Sequence, residues 1–275
     1  MYSLNCKGRL LSLEHPIVMG VLNITPDSFY AGSRIRSRDE LLAQADRMLQ
    51  EGAAILDLGG LSSRPGAQEI SVDDELERVV PAIQAVSEYF PQAFISVDSY
   101  RYEVAKAALD AGAVLINDVG ASESDSLVKL AATEGVPYVC MHMRGKPGNM
   151  QQLTVYDDLV TEVLDYFIRR KTDCRRMGVK DLIIDPGFGF AKTIAQNFLL
   201  LKNLSILNIL DLPLMVGLSR KSTIYHTLGI QPEDALNGTT VLHTLALGQG
   251  ARILRAHDVK EAVETIRLWK SYAEA

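Results

Sequence analysis

The stretch EGAAILDLGG, residues 51–60, reads as the end of a helix handed over to a buried strand. Gly52 falls where a helix C′ residue with positive φ costs least, and the residues after it form a short apolar run broken by one acid, Asp57. The pattern recurs in AGAVLINDVG (111–120), EGVPYVCMHM (134–143), MGVKDLIIDPG (177–187) and QGARILRAHD (249–258), each with its own glycine: Gly112, Gly135, Gly178 and Gly250. Runs this short and this rich in branched residues suit strands buried on both faces. Three more, IVMGVLN (17–23), FISVDS (94–99) and PLMVGLS (213–219), lack the glycine but otherwise match, which makes about eight strands of one parallel sheet.

Helical patterns fill the intervals. They cover Ser37 to Gln50 behind a Ser37–Glu40 capping box, Ser71 to Tyr89 behind Ser71–Asp74, Arg101 to Asp110, Ser124 to Glu134, Asp157 to Met177, Ile194 to Asn208, Glu233 to Leu247 and Asp258 to Tyr272. Strict alternation over this length predicts an α/β fold, a (β/α)8 TIM barrel in a single domain over 1–275, with a doubly wound open sheet as the alternative. Residues 1–16 precede the first barrel strand and are expected as a hairpin or plug at its N-terminal end. A short extra helix is expected at Lys221 to Leu228, after the seventh strand.

Of the 275 residues, 47% are hydrophobic and 23% charged, and the net charge is −6. That balance argues against non-specific binding to nucleic acid or to an anionic membrane, which both need a positive field, so an anionic substrate must meet local cations. The first residues are too often interrupted by polar groups to form a signal segment, and no apolar run reaches membrane-spanning length; a cytoplasmic location is expected. Cys6, Cys140 and Cys174 share no metal-ligand spacing, and Cys140 reads as a buried thiol.

In a barrel of this kind chemistry gathers at the C-terminal ends of the strands. Those ends carry Asn23, Asp57, Asp98, Asn117, His142, Asp185, then Ser219, Arg220 and Lys221, and last Arg255 and His257. Any one of them has an ordinary reading as a loop or helix cap, Asp57 included, and His142 reads as a packed interior group. His15, His226 and His243 give no signal. As a set, however, they converge on one mouth. Asp98, Asn117, Asp185 and Lys221 suit a flat heterocycle rich in N–H donors. Asn23, Arg64, Arg255 and His257 suit a phosphorylated group, with the Asn23 oxygen acceptable to Mg2+. The loop DLGGLSSRPG (57–66) carries two adjacent glycines, 59 and 60, read as the flexible exit of the second strand, and GLSRKS (217–222) is expected to bring hydroxyls, two cations and a helix start to the same mouth.

These residues carry a resemblance. MGVLNITPDSF (19–29), DLGGLSSRPGA (57–67), ISVDS (95–99), INDV (116–119), MHM (141–143), DPGFGFAKT (185–193), GLSRKS (217–222) and RAHDVKEA (255–262), in this order and spacing, make the chain similar to the dihydropteroate synthases over nearly its whole length. The resemblance implies a homodimeric barrel that joins 6-hydroxymethyl-7,8-dihydropterin diphosphate to p-aminobenzoate, by dissociative loss of pyrophosphate assisted by Mg2+. It places Asp98, Asn117, Asp185 and Lys221 on the pterin, with Met141 and Phe190 as walls. Asn23 with Mg2+, Arg64, Arg255 and His257 fall on the diphosphate. Phe29, Ser62, Ser63, Pro65, Phe190, Lys221, Ser219 and Ser222 fall on p-aminobenzoate, and Asp98, Lys221 and Arg64 are the implied catalytic set.

Two loops depart from the family's usual pattern. Leu61 stands where Glu is common and Ser63 where Thr is, and Tyr30 to Ser33 replace the usual SDGG. They bear on p-aminobenzoate affinity more than on the reaction. A non-catalytic pterin-binding paralogue and a methyltetrahydrofolate-dependent methyltransferase are the alternatives; the second has no use for TPDSF, SSRPG and SRKS.

Overall fold

In a computed structural model, residues 2–24, 34–61, 70–120, 125–145 and 149–275 are described. The chain opens with an antiparallel hairpin, β1 (Ser3–Cys6) and β2 (Arg9–Ser12), with Ser3 opposite Ser12 and Cys6 opposite Arg9. Eight parallel strands follow: β3 (Ile17–Asn23), β4 (Ile55–Gly59), β5 (Phe94–Asp98), β6 (Leu115–Asp118), β7 (Tyr138–Met141), β8 (Leu182–Asp185), β9 (Met215–Val216) and β10 (Ile253–Ala256). They lie in the order β8-β7-β6-β5-β4-β3-β10-β9, and a parallel bridge from Ile184 to Leu214 joins the two edges. The sheet is therefore a (β/α)8 barrel, as the alternation predicts, and the open-sheet alternative is set aside.

Helices α1 (Arg34–Glu51), α2 (Val72–Tyr89), α3 (Tyr102–Asp110), α4 (Ser126–Glu134), α5 (Leu159–Arg176), α6 (Ile194–Lys202), α7 (Ser222–Leu228), α8 (Leu236–Gly248) and α9 (Val259–Ala273) connect the strands. Ser71 and Asp74 form the expected capping box. Ser37 does not cap: α1 starts three residues earlier, so Ser37 lies within the helix. The pattern expected to run from Ile194 to Asn208 breaks at Asn203 and continues as a 3-10 turn over Leu204–Leu210. The seventh barrel strand is shorter than its run of apolar residues, because the chain leaves the sheet after Val216 to build the turn before α7. All five repeat glycines have positive φ, between 63° and 119°, which confirms each as a helix-to-strand hinge.

The core has an outer and an inner part. The larger cluster fills the space between sheet and helices. A second packs Leu4, Cys6, Leu11 and Leu13 of the hairpin against Met19, Ile55, Leu115, Val139, Ile183, Met215 and Ile253, which open seven of the strands from inside. The hairpin is thus the plug, and the far end of the barrel remains for polar side chains. No helix among the described residues is long and apolar enough to cross a membrane.

Candidate active site

Parallel register sets the site before any side chain is considered. Asn23 pairs with Gly59, Gly59 with Asp98, and Asp98 with Asn117, so one layer at the C-terminal mouth runs across four strands. Asp57 lies two residues deeper, opposite Ser96. A Cβ on Gly59 would stand 3.1 Å from the Asp98 Cβ, and one on Gly60 only 2.7 Å from Val79 on α2. Neither glycine has positive φ. They are glycines because Asp98 and α2 need the space, a correction to their reading as a flexible exit.

Arg255, in β10, reaches across this layer. Its Nε donates to Asp57 at 2.7 Å and its Nη2 to Asp98 at 2.5 Å, while Nη1 makes no hydrogen bond among the described residues. The same Asp57 oxygen accepts from Asn117 Nδ2 at 2.9 Å. An ionised carboxylate only accepts, so Asp57 fixes the Asn117 amide with its oxygen turned away. Asp57, Asp98 and Asn117 are all buried, and each keeps one oxygen, Oδ1, without a partner among the described residues.

Burial pushes the Asp98 carboxyl up to about 7, Arg255 opposing and Asp57 reinforcing the rise. For Arg255 burial disfavours the charge, but Asp57 and Asp98 outweigh it and the guanidinium stays ionised.

The β8–α6 connection supplies the other side. Asp185 ends β8 with its Oδ1 accepting from Gly187 N–H at 2.8 Å; burial raises its pKa, against Lys221 and that backbone bond. Phe190, Met141, Met143, Met150 and Ala191 form an apolar cluster, so Met141 and Phe190 do share one wall. Phe188 belongs to the main core. Lys221 crosses from the turn before α7, donating to Phe188 O with its ammonium 4.6 Å from the Phe190 ring centre. Burial pulls its pKa down to about 8, Asp185 holding it up.

Ser219 is also bound into this end of the barrel. Its Oγ lies 3.1 Å from His257 Nδ1 and accepts the His257 backbone N–H at 3.2 Å. Ser222 opens α7. Asn23 is exposed at the rim. Of the sequence-derived set, then, Asp98, Asn117, Asp185, Lys221, Arg255, Met141 and Phe190 converge, with Asn23 at the end of β3, His257 just after β10, Ser219 in the turn after β9 and Ser222 at the start of α7. Phe29, Ser62, Ser63, Arg64 and Pro65 lie outside the described residues, as do Tyr30 to Ser33.

Two readings change. Arg220, expected as a second cation for the mouth, points elsewhere: its guanidinium grips Asp258 through two 2.8 Å bonds and donates to the carbonyls of Pro232 and Glu233. Its φ of 53° is strained for a residue with a side chain, and these bonds hold it there, delivering Lys221 to the site. Asp57, with its ordinary reading as a cap, instead organises Arg255 and Asn117. Its signal was present in the sequence, as a carboxylate inside an apolar strand rather than at its end. His142 is buried as expected, but its partner, Lys192, carried no sequence signal beyond lying in DPGFGFAKT.

A family model described as pterin binding enzyme matches residues 19–257. The dihydropteroate synthase of Escherichia coli K12 is 42% identical over 264 residues, covering 95% of this chain and 93% of its own. Among solved structures, the Yersinia pestis dihydropteroate synthase in a sulfonamide drug complex superposes with a TM-score of 0.92 at 41% identity, over 100% of both chains. The Xanthomonas albilineans dihydropteroate synthase in complex with 7,8-dihydropteroate gives 0.88 at 37% identity, again over 100% of both.

The Arg255 bridge has a measurable consequence for folding. Removing one partner of a buried ion cluster leaves the others uncompensated, so Arg255→Met should cost about 3–5 kcal/mol in urea unfolding at pH 8. Asp98 has a folded pKa above its unfolded value, so its charge weighs on the folded state above about 7 and is relieved as pH falls. The deficit should therefore shrink between pH 8 and pH 5; an equal deficit at both would refute the bridge as an electrostatic unit.

Proposed function

The chain belongs to the pterin-binding enzymes and, within them, to the dihydropteroate synthases, and from that premise we propose that it condenses 6-hydroxymethyl-7,8-dihydropterin diphosphate with p-aminobenzoate, releasing 7,8-dihydropteroate and pyrophosphate. The observation that carries this reading is the set of buried acceptors without donors, Asp98 Oδ1, Asn117 Oδ1 and Asp57 Oδ1. Each unpaired buried acceptor costs about 1–3 kcal/mol, so the mouth favours a flat ligand that arrives with N–H groups. A pterin has such an edge. Asp98, Asn117, Asp185 and Lys221 take the ring under this proposal, between the Met141 and Phe190 walls.

Arg255 Nη1, Arg64 and His257 take the diphosphate. Fixed cations there stabilise charge that grows on the leaving group, and do so without reorganising when the bond breaks. The pterin ring stabilises a cation on its exocyclic methylene, so the chain need supply no covalent nucleophile, and Asp98 beside the ring favours that cation further. Phe29, Ser62, Ser63, Pro65, Phe190, Ser219 and Ser222 then hold p-aminobenzoate with its amine toward the methylene.

Mg2+ fits the residues present. A Mg2+ held chiefly by substrate phosphates needs few protein oxygens, and the exposed Asn23 at the end of β3 offers one. Bound there, the ion would neutralise charge on the diphosphate. We extend the same reading to one pterin-binding barrel over 1–275, to a cytoplasmic location and to a homodimer. The exposed Val241, Leu245, Leu268 and Tyr272 on α8 and α9 offer an apolar face for a second copy, and a monomer at micromolar concentration in sedimentation equilibrium would contradict the dimer.

The reading is tested by incubating the protein with the pterin diphosphate, Mg2+ and p-aminobenzoate. Pyrophosphate and dihydropteroate should form in equal amounts, and their absence with folded protein would overturn it. Affinity for 6-hydroxymethyl-7,8-dihydropterin should also follow charge state. Asp98 is a carboxylate above about 7 and Lys221 an ammonium below about 8, so binding should peak between these values and weaken on both sides. Titration calorimetry across pH 6 to 9 measures it; a flat profile would remove both residues from the ring site.

A further inference from the structure

Lys192 is 3% exposed and lies within the barrel's β8–α6 connection, with no acid among its hydrogen-bond partners in the described residues. Its ammonium has three N–H donors and three close acceptors: His142 Nδ1 at 2.9 Å, Phe190 O at 3.0 Å and Gly187 O at 3.2 Å, with His142 O at 3.5 Å. An ammonium cannot accept, so His142 presents a bare Nδ1 and carries its proton on Nε2. Burial, then the charges of Lys192 and Arg144, hold that imidazole neutral.

The bonded carbonyls belong to one tight turn. Phe190 N–H donates back to Gly187 O at 3.1 Å, Gly189 N–H to Asn197 Oδ1 at 2.8 Å, and Gly187, Gly189 and Ala191 all have positive φ. The turn runs so close to the neighbouring strand end that a Cβ on Gly187 would stand 2.0 Å from His142 O. Three of its carbonyls go to two lysines: Gly187 O and Phe190 O to Lys192, and Phe188 O to Lys221. A Cβ on Gly189 would touch the Lys221 stem at 3.3 Å.

We propose that Lys192 is a positioning residue for the pterin half of the site, its ammonium holding the Gly187–Phe190 turn in the shape that places the Phe190 ring and seats Lys221. The inference rests on the functional reading above. Lys192 touches no substrate; it acts through the turn, and its charge is also felt by Asp185. Around the ammonium the charged and titratable groups are His142, Asp185, Lys221 and Arg144. Burial brings its pKa down to about 7, Asp185 opposing, so it is an ammonium below that value, and among the described residues it is held by its acceptors rather than by a salt bridge.

Two variants test the assignment, Lys192→Met, which removes charge and donors, and Lys192→Gln, which keeps two donors without charge. Steady-state KM is measured for both substrates, alongside thermal melting and direct titration with 6-hydroxymethyl-7,8-dihydropterin. In Lys192→Met the KM for the pterin diphosphate should rise about 10-fold or more, as loss of a buried hydrogen-bond centre implies, while the KM for p-aminobenzoate, which meets this turn only through Phe190 and Lys221, rises several-fold less. Lys192→Gln should show the same split at smaller size, and serves alone if the Met variant does not melt cooperatively. A merely structural lysine would lower melting temperature and active fraction without that split. Unchanged pterin KM in folded variants, or equal rises for both substrates, would overturn the positioning role while leaving the reaction standing; a parent protein that neither binds the pterin nor turns over would overturn both.

Discussion

Arg255 donates to Asp57 and Asp98 at once from inside a closed barrel, and Asn117 takes its place from that contact. The Asp57 charge raises the pKa of the buried Asp98 carboxyl, and the Arg255 guanidinium between them opposes that rise. With the guanidinium in place, Asp57 can hold the Asn117 amide in one orientation. Each of the three side chains nonetheless keeps an oxygen without a partner among the described residues. The inner bonds hold the cluster together, and the outer acceptors are the ones that the proposed function gives to the ligand.

The rest of the barrel supports this arrangement mostly by making room. Gly59 leaves space for Asp98, Gly60 lets α2 approach, and Gly187 lets the β8–α6 turn pass against His142. Space, more than flexibility, accounts for these glycines. The hairpin closes the opposite end with apolar side chains, which leaves the strand C-termini as the polar end of the barrel among the described residues. Cations enter it from three elements: Arg255 from β10, Lys221 from the turn braced by Arg220, and Lys192 from beneath the Phe190 wall. Arg255 is bound by Asp57 and Asp98, and Asp185 supports the charge of both lysines.

Much of this was legible in the sequence. The glycine-to-apolar-run repeat identified the barrel, and reading the last residue of each run found Asp98, Asn117, Asp185, Lys221 and Arg255, because strand ends project into one mouth by geometry alone. Directions were not legible. Arg220 and Lys221 are adjacent, yet one grips Asp258 and the other enters the site, a division set by a strained backbone angle that no residue pattern encodes. The importance of Asp57 depends on register with neighbouring strands, and that of Lys192 on backbone carbonyls, neither of which a residue pattern shows. Helix starts failed where a local signal competed with another: Ser37 had the capping partners, but α1 extends past it.

Asp57, which is not expected to touch the reacting atoms, holds Arg255 and Asn117 where the proposed pterin site needs them. The dissociation constant of 6-hydroxymethyl-7,8-dihydropterin, titrated into folded Asp57→Ala and parent protein near neutral pH, addresses that role directly. Loss of a buried charged acceptor predicts binding weakened by about 10-fold or more. Binding within about two-fold of the parent, in a variant that melts cooperatively, would contradict the account.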